Sequence, residues 1–167
     1  MEEKYLHAEE PEAERNSPFL TRRDLSSPSA TKSFSDFDVS LLKGKNTFGE
    51  DEKLKGQKII DQLFKEGKSV STNGFTLVYL VRPLTTFYPA RVGFSVPKRN
   101  FKHAVDRNRI KRLMREAYRL NKVSFYEKLV ERKQQMAMMF VYKGKAIPDY
   151  ETTTKAIVNC MNRIFKA

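Results

Sequence analysis

The 167-residue chain is poor in the residue types that build metal and redox sites. Its single cysteine, Cys160, excludes an intramolecular disulfide and a multi-cysteine zinc knuckle. Its two histidines, His7 and His103, have no cysteine or acid at metal-ligand spacing. No GxSxG, HExxH, P-loop or paired-carboxylate motif is present. A metal-dependent hydrolase needs carboxylates gathered around a divalent metal, and none can be nominated. The expectation is therefore no catalytic residue and no protein-ligated metal. Long apolar runs are missing as well. Nothing approaches the ~18 consecutive apolar residues of a membrane span. The opening MEEKYLHAEEPEAE lacks the apolar stretch of a secretory signal and is too acidic for a transit peptide. A cytoplasmic chain without membrane association is expected.

What is abundant is positive charge, a net of +12. It is unevenly placed. Residues 1–50 hold 7 Lys+Arg against 10 Asp+Glu, and residues 51–167 hold 25 against 10. The body thus carries +15 behind a leader of −3. The leader is also Ser-rich, with seven serines between residues 16 and 40, and shows no helical or strand period. It reads as a disordered extension, 1–50, ahead of one folded domain, 51–167. A body this basic implies a polyanionic partner, with nucleic acid ahead of a membrane surface.

Apolar periodicity gives a coarse map of the body. Residues 55–66 place Ile59, Ile60, Leu63 and Phe64 at helical spacing, with Gly67 as a stop. Residues 75–82 and 90–96 read as strands, expected to pair as a hairpin. A long helix is expected over 102–121 and a short one over 124–133. The apolar run 136–142 reads as a buried strand. A last helix over 149–165 has Asp149 as its cap. The class is α+β: a two-layer sandwich of helices on a small mixed sheet. Two of its strands, 90–96 and 136–142, are expected to run parallel about a crossing helix.

The long helix carries the functional reading. Ile110, Leu113, Met114, Ala117 and Leu120 fall on one side, within about 80 degrees of Ile110 at 100 degrees per residue. The opposite side presents Asn108, Lys111, Arg112, Arg115, Arg119 and Lys122, with no acid among them. A merely solvated face mixes signs, because like charges four residues apart repel. An uninterrupted cationic ridge fits phosphate, which the arginine fork grips with two parallel bonds. No second helix stands before this one to make a helix-turn-helix, and zinc-finger ligands are absent. A basic helix beside a sheet suits backbone and shape readout of structured RNA. Asp106 reads as a surface acid, His103 as a possible phosphate contact, and Cys160 as core.

The run KRNFKHAVDRNRIKRLMREAYR, residues 98–119, closely resembles the signature of the protein component of bacterial ribonuclease P. RVGFSVPKRN (91–100) is similar to the strand and turn before that signature, and IIDQLFKEGKSV (59–70) to the family's first helix and following turn. The resemblance spans about residues 52–167. It implies a left-handed strand–helix–strand crossover, against the usual hand. It also implies a function. By that resemblance the protein would be one subunit of an endoribonuclease whose catalytic RNA, using Mg²⁺, removes the 5′ leader of precursor tRNA. The partners implied are ribonuclease P RNA and precursor tRNA, with no protein partner required. On the matching positions, Lys98, Arg99, Arg107, Asn108, Arg109, Lys111, Arg112 and Arg115 would bind RNA. Phe64, Ile60 and Val78 would line a cleft for the leader. Phe64 matches a family aromatic, and stacking or core packing are both open to it. Ile60 and Val78 stand where members often carry aromatics. Tyr79 is expected on the opposite face of its strand. The rival from another class is a non-enzymatic ribosomal RNA-binding protein on a similar scaffold.

Overall fold

In the computed structural model, the described residues are 34, 37–42 and 46–166. Three helices pack on one four-stranded sheet. In chain order they are α1 (Gln57–Glu66), β1 (Lys68–Thr72), β2 (Phe75–Val81), β3 (Ala90–Ser95), α2 (Ala104–Glu131), β4 (Met136–Tyr142) and α3 (Tyr150–Ile164). The strand order is β1-β2-β4-β3. β1–β2 and β2–β4 are antiparallel and β3–β4 is parallel. The expected α+β class and the parallel strands flanking a long helix are present.

Three expectations need correction. Strand 90–96 does not form a hairpin with strand 75–82, because β4 lies between them, pairing Val78 with Met139 and Gly93 with the same Met139. The run MAMMFVY is apolar on both faces, which suits an inner strand, and β2, the other inner strand, is likewise buried on both faces over Phe75–Tyr79. The hairpin partner of β2 is β1, which the sequence pattern left as a turn. Asn73 and Gly74 join them at φ 44° and 79°, the positive values of a two-residue type I′ turn. Finally, 102–121 and 124–133 are one helix. No Gly or Pro interrupts Ala104–Glu131, and Phe125, Tyr126 and Leu129 continue the buried stripe.

The two sheet faces have different cover. Phe75, Leu77 and Tyr79 of β2, with Met136, Met138 and Phe140 of β4, face α2 and α3 in the main core. Val78, Ala137 and Met139 face the other way, toward Leu63, Ile59 and Ile60 of α1. Period-two alternation thus separates Val78 from Tyr79 as expected. α1 ends where Gly67 donates to the carbonyl of Leu63 at 3.0 Å. A Cβ at Gly67 would sit 2.2 Å from that carbonyl oxygen, so only glycine lets the chain fold so tightly into β1.

Most of the leader read as disordered lies outside the described residues. The part that is described packs. Phe37 is buried against Phe87, Tyr88 and Tyr126, and Phe48 meets Tyr118 edge-on. The packed chain therefore starts ahead of residue 51.

Candidate nucleic-acid interface

α2 begins at the C-terminal end of β3, and a short turn fixes that junction. Asn100 Nδ2 donates to the carbonyls of Lys143 (2.8 Å) and Gly144 (3.2 Å), tying the turn to the segment after β4. Arg107 Nη1 donates back to the carbonyls of Phe101 (2.8 Å) and Lys102 (2.7 Å). Arg107 is thus a clamp on the turn, half-buried, with its remaining N–H groups to spare. Because β3 and β4 are parallel, their ends deliver both connections to one end of the sheet. Exposed Lys98, Arg99 and Lys102 come from the first connection, and exposed Lys143 and Lys145 from the second. The last two were missed in the sequence. Their signal was the parallel crossover itself, which brings a loop some 45 residues away beside the signature.

From this junction, Asn108, Arg109, Arg112 and Arg115 project exposed along the first turns of α2, with Lys111 half-buried. The ion pairs formed among the described residues involve Lys53, Lys55, Arg119, Lys122 and Lys155. None involves Lys98, Arg99, Arg107, Arg109, Lys111, Arg112 or Arg115. Unpaired cations this closely spaced repel one another, so an anion that covers them stabilises the face. His103 caps the helix start without a side-chain bond.

The ridge is shorter than the helical projection suggests. Arg119 is engaged by Glu116, through Nε to Oε2 at 2.9 Å and Nη2 to Oε1 at 2.5 Å, and also donates to the carbonyl of Asn46. Its hydrogen bonds hold the Glu116 carboxyl below the ordinary range. Lys122 is not on the surface. It is 0 % exposed and pairs with Glu52, itself 1 % exposed. Tyr126 donates to the same carboxylate oxygen at 2.8 Å, and Gly49 N–H donates to the other at 2.9 Å. Burial lowers the Lys122 ammonium against the opposing pull of Glu52. It also pushes the phenols of Tyr118 and Tyr126 well up, so both stay protonated donors. Leu120 is exposed where burial was expected, and Tyr118 is buried instead. The apolar stripe turns toward Tyr118 and Tyr126 along the helix, and the segment 46–52 covers that side.

The second region is the α1 face of the sheet. Register aligns Ser69, Val78, Met139 and Gly93 in one row across it, and Ser71, Thr76, Val141 and Ser95 in the next. Leu63 anchors α1 there at 0 % exposure, while Phe64 stands 53 % exposed and Ile60 is half-buried. Core packing of Phe64 is thereby excluded. Phe75 and Phe94, in contrast, belong to the main core, with Phe94 stacked on Phe140 at 5.8 Å. Val78 is 9 % exposed beneath α1, so it is more floor than lip. Cys160 is fully buried, and burial pushes its thiol up. Among the described residues, no three His, Cys, Asp or Glu side chains gather where they could share a metal ion, and no helix is long and apolar enough to cross a membrane.

These features match known proteins. The family described as Ribonuclease P matches residues 48–165. A ribonuclease P protein component of Porphyromonas gingivalis is 35 % identical over 120 residues, covering 71 % of this chain and 88 % of its own. One from Chlorobium phaeobacteroides is 34 % identical over 129 residues, with the same shares. The ribonuclease P protein of Staphylococcus aureus superposes with a TM-score of 0.55 at 18 % identity, over 68 % of this chain and 94 % of its own. That of Thermotoga maritima gives 0.55 at 23 %, over 67 % and 96 %. The fold is shared, and the sequence match spans the sheet, the turn and the cationic helix: this chain belongs to the ribonuclease P protein family.

Proposed function

We propose that this chain is the protein subunit of a ribonuclease P holoenzyme that removes the 5′ leader from precursor tRNA in the cytoplasm. The observation that carries the reading is the set of unpaired cations converging where β3 and β4 hand over to α2. Arg109, Lys111, Arg112 and Arg115 on the helix, with Asn108 among them and Lys98 and Arg99 on the turn, grip phosphates of the ribonuclease P RNA. Arg107 shapes the turn and lends its remaining donors. The leader lies on the α1 face. There Phe64 offers a base an exposed ring, a contact worth ~1–3 kcal/mol, and Ile60 and Val78 supply apolar wall and floor. The RNA subunit brings the Mg²⁺ chemistry, the protein holds substrate and RNA together, and no other protein is needed.

The recombinant chain alone should leave precursor tRNA uncut. Added to a bacterial ribonuclease P RNA at low Mg²⁺, it should speed 5′-leader release over the RNA alone. No gain at any Mg²⁺ concentration contradicts the proposal. Recovery of ribosomal RNA in place of ribonuclease P RNA with the purified chain would favour the ribosomal rival.

A further inference from the structure

We propose that a groove beside β1, lined by Ser69, Val70, Ser71, Arg163 and Lys166, is a second phosphate-binding site for RNA, distinct from the α2 ridge and the α1 cleft. The identity of its ligand rests on the function proposed above.

β1 is an edge strand, paired only with β2. The two-residue turn at Asn73–Gly74 makes Thr72 and Phe75 a pair that exchanges backbone bonds. Such pairs alternate along an antiparallel ladder, so Val70 and Lys68 bond toward β2 as well. The N–H and C=O groups of Ser69 and Ser71 therefore point away from the sheet, into the groove. The position of Arg163 agrees: its Nη1 donates to the carbonyl of Ser71 at 2.9 Å and reaches Thr72 Oγ1 at 3.4 Å.

An open strand edge ordinarily invites another strand. Here Arg163 lies across it and already takes the Ser71 carbonyl that an added strand would need. What stays available is a set of donors: the outward N–H groups of Ser69 and Ser71, the rest of the Arg163 guanidinium and the Lys166 ammonium. The Ser71 hydroxyl turns toward the α1 side, where its Oγ shares a 3.0 Å bond with Thr76 Oγ1, so Ser71 offers the groove its backbone. None of the five lining residues is acidic. The C-terminal end of α3 carries partial negative charge, and three carbonyls there have donors of their own. Asn162 O receives Phe165 N–H (3.3 Å), Arg163 O receives Lys166 N–H (3.2 Å) and Phe165 O receives Arg132 (3.3 Å). A site of donors alone, with one guanidinium fork, suits an oxyanion, and on RNA that group is a backbone phosphate. Three strand spacings, about 14 Å, separate β1 from β3, where the α2 turn begins. The site thus lies on the opposite edge of the same sheet.

The test has two arms on the full chain. In the first, amide resonances are followed as inorganic phosphate is added at constant ionic strength. Ser69 and Ser71 should shift in a saturable way. The shift should weaken several-fold in Lys166→Gln, which leaves the Arg163–Ser71 bond in place, and vanish in Arg163→Gln/Lys166→Gln. Absence of a shift in the unaltered chain, or an equal shift in the double variant, overturns the site. In the second arm, the salt dependence of binding is measured for ribonuclease P RNA alone and for a single-stranded leader oligonucleotide. Lys166→Gln should lower the slope by about one for whichever RNA supplies the phosphate. An unchanged slope with both RNAs overturns the proposal. The phosphate titration needs no ribozyme, so it fails or succeeds separately from the holoenzyme assay.

Discussion

The two halves of α2 carry the same kinds of cation to opposite ends. In the first half, Arg109, Arg112 and Arg115 stand exposed and unpaired beside the turn after β3. In the second, Arg119 is held by Glu116 and Lys122 is sealed against Glu52 beneath the segment 46–52. Position on the helix does not separate them, for Lys111 and Lys122 project in similar directions. What separates them is a fitted acid, Glu116 one turn away for Arg119 and Glu52 from outside the helix for Lys122. Glu52 lies 70 residues before Lys122 and fits it so closely that the ammonium becomes a core group. A cation left without such a partner is available to RNA, and one that has a partner holds the fold.

The largest effect that sharpens this contrast is on stability. Lys122→Met removes the cation and leaves the Glu52 carboxylate buried with Tyr126 and Gly49 as its donors. The expected loss is ~3–5 kcal/mol, read from chemical denaturation. Arg112→Ala and Arg115→Ala should each move stability by no more than about 0.5 kcal/mol. A silent Lys122→Met variant would break the contrast.

Next comes α1, where neighbouring residues divide in the same way. Leu63→Ala opens a cavity under the helix and should cost ~2–5 kcal/mol of stability. Phe64→Ala should leave the midpoint of unfolding nearly unchanged while weakening leader binding by ~1–3 kcal/mol. Equal stability losses at both positions would show Phe64 to be packing rather than a binding surface.

The smallest effect concerns pH. Asp149 accepts from Thr152 at the start of α3, and this holds its carboxyl below the ordinary aspartate value of 3.8. The native state therefore favours the ionised form. The stabilisation is fully present above that value and is lost as pH falls below it. Asp149→Asn should flatten this acid limb in thermal unfolding, and a limb as steep as that of the unaltered chain would contradict the assignment.

Much of this was legible in the sequence because it is local. The apolar spacing of α1 and α3, the cap at Asp149 and the run 98–119 each depend on residues within a few turns of one another. What was not legible is non-local. The hairpin partner of β2 was misplaced because pairing order depends on β4, some 55 residues further on. The Asn73–Gly74 turn was a local signal that went unread. Lys122 was placed on the RNA face because nothing near it announces Glu52. Lys143 and Lys145 joined the basic end only once β3 and β4 were parallel neighbours.

The central claim is that unpaired cations on the first half of α2 meet RNA phosphates, and it is tested most directly by salt. Binding of ribonuclease P RNA should be measured against salt concentration for the unaltered chain and for Arg112→Ala/Arg115→Ala. Each lost phosphate contact should make the log–log slope shallower by ~0.7–0.9, so the double variant should be shallower by about 1.5 with its stability intact. A slope equal to that of the unaltered chain would contradict the claim.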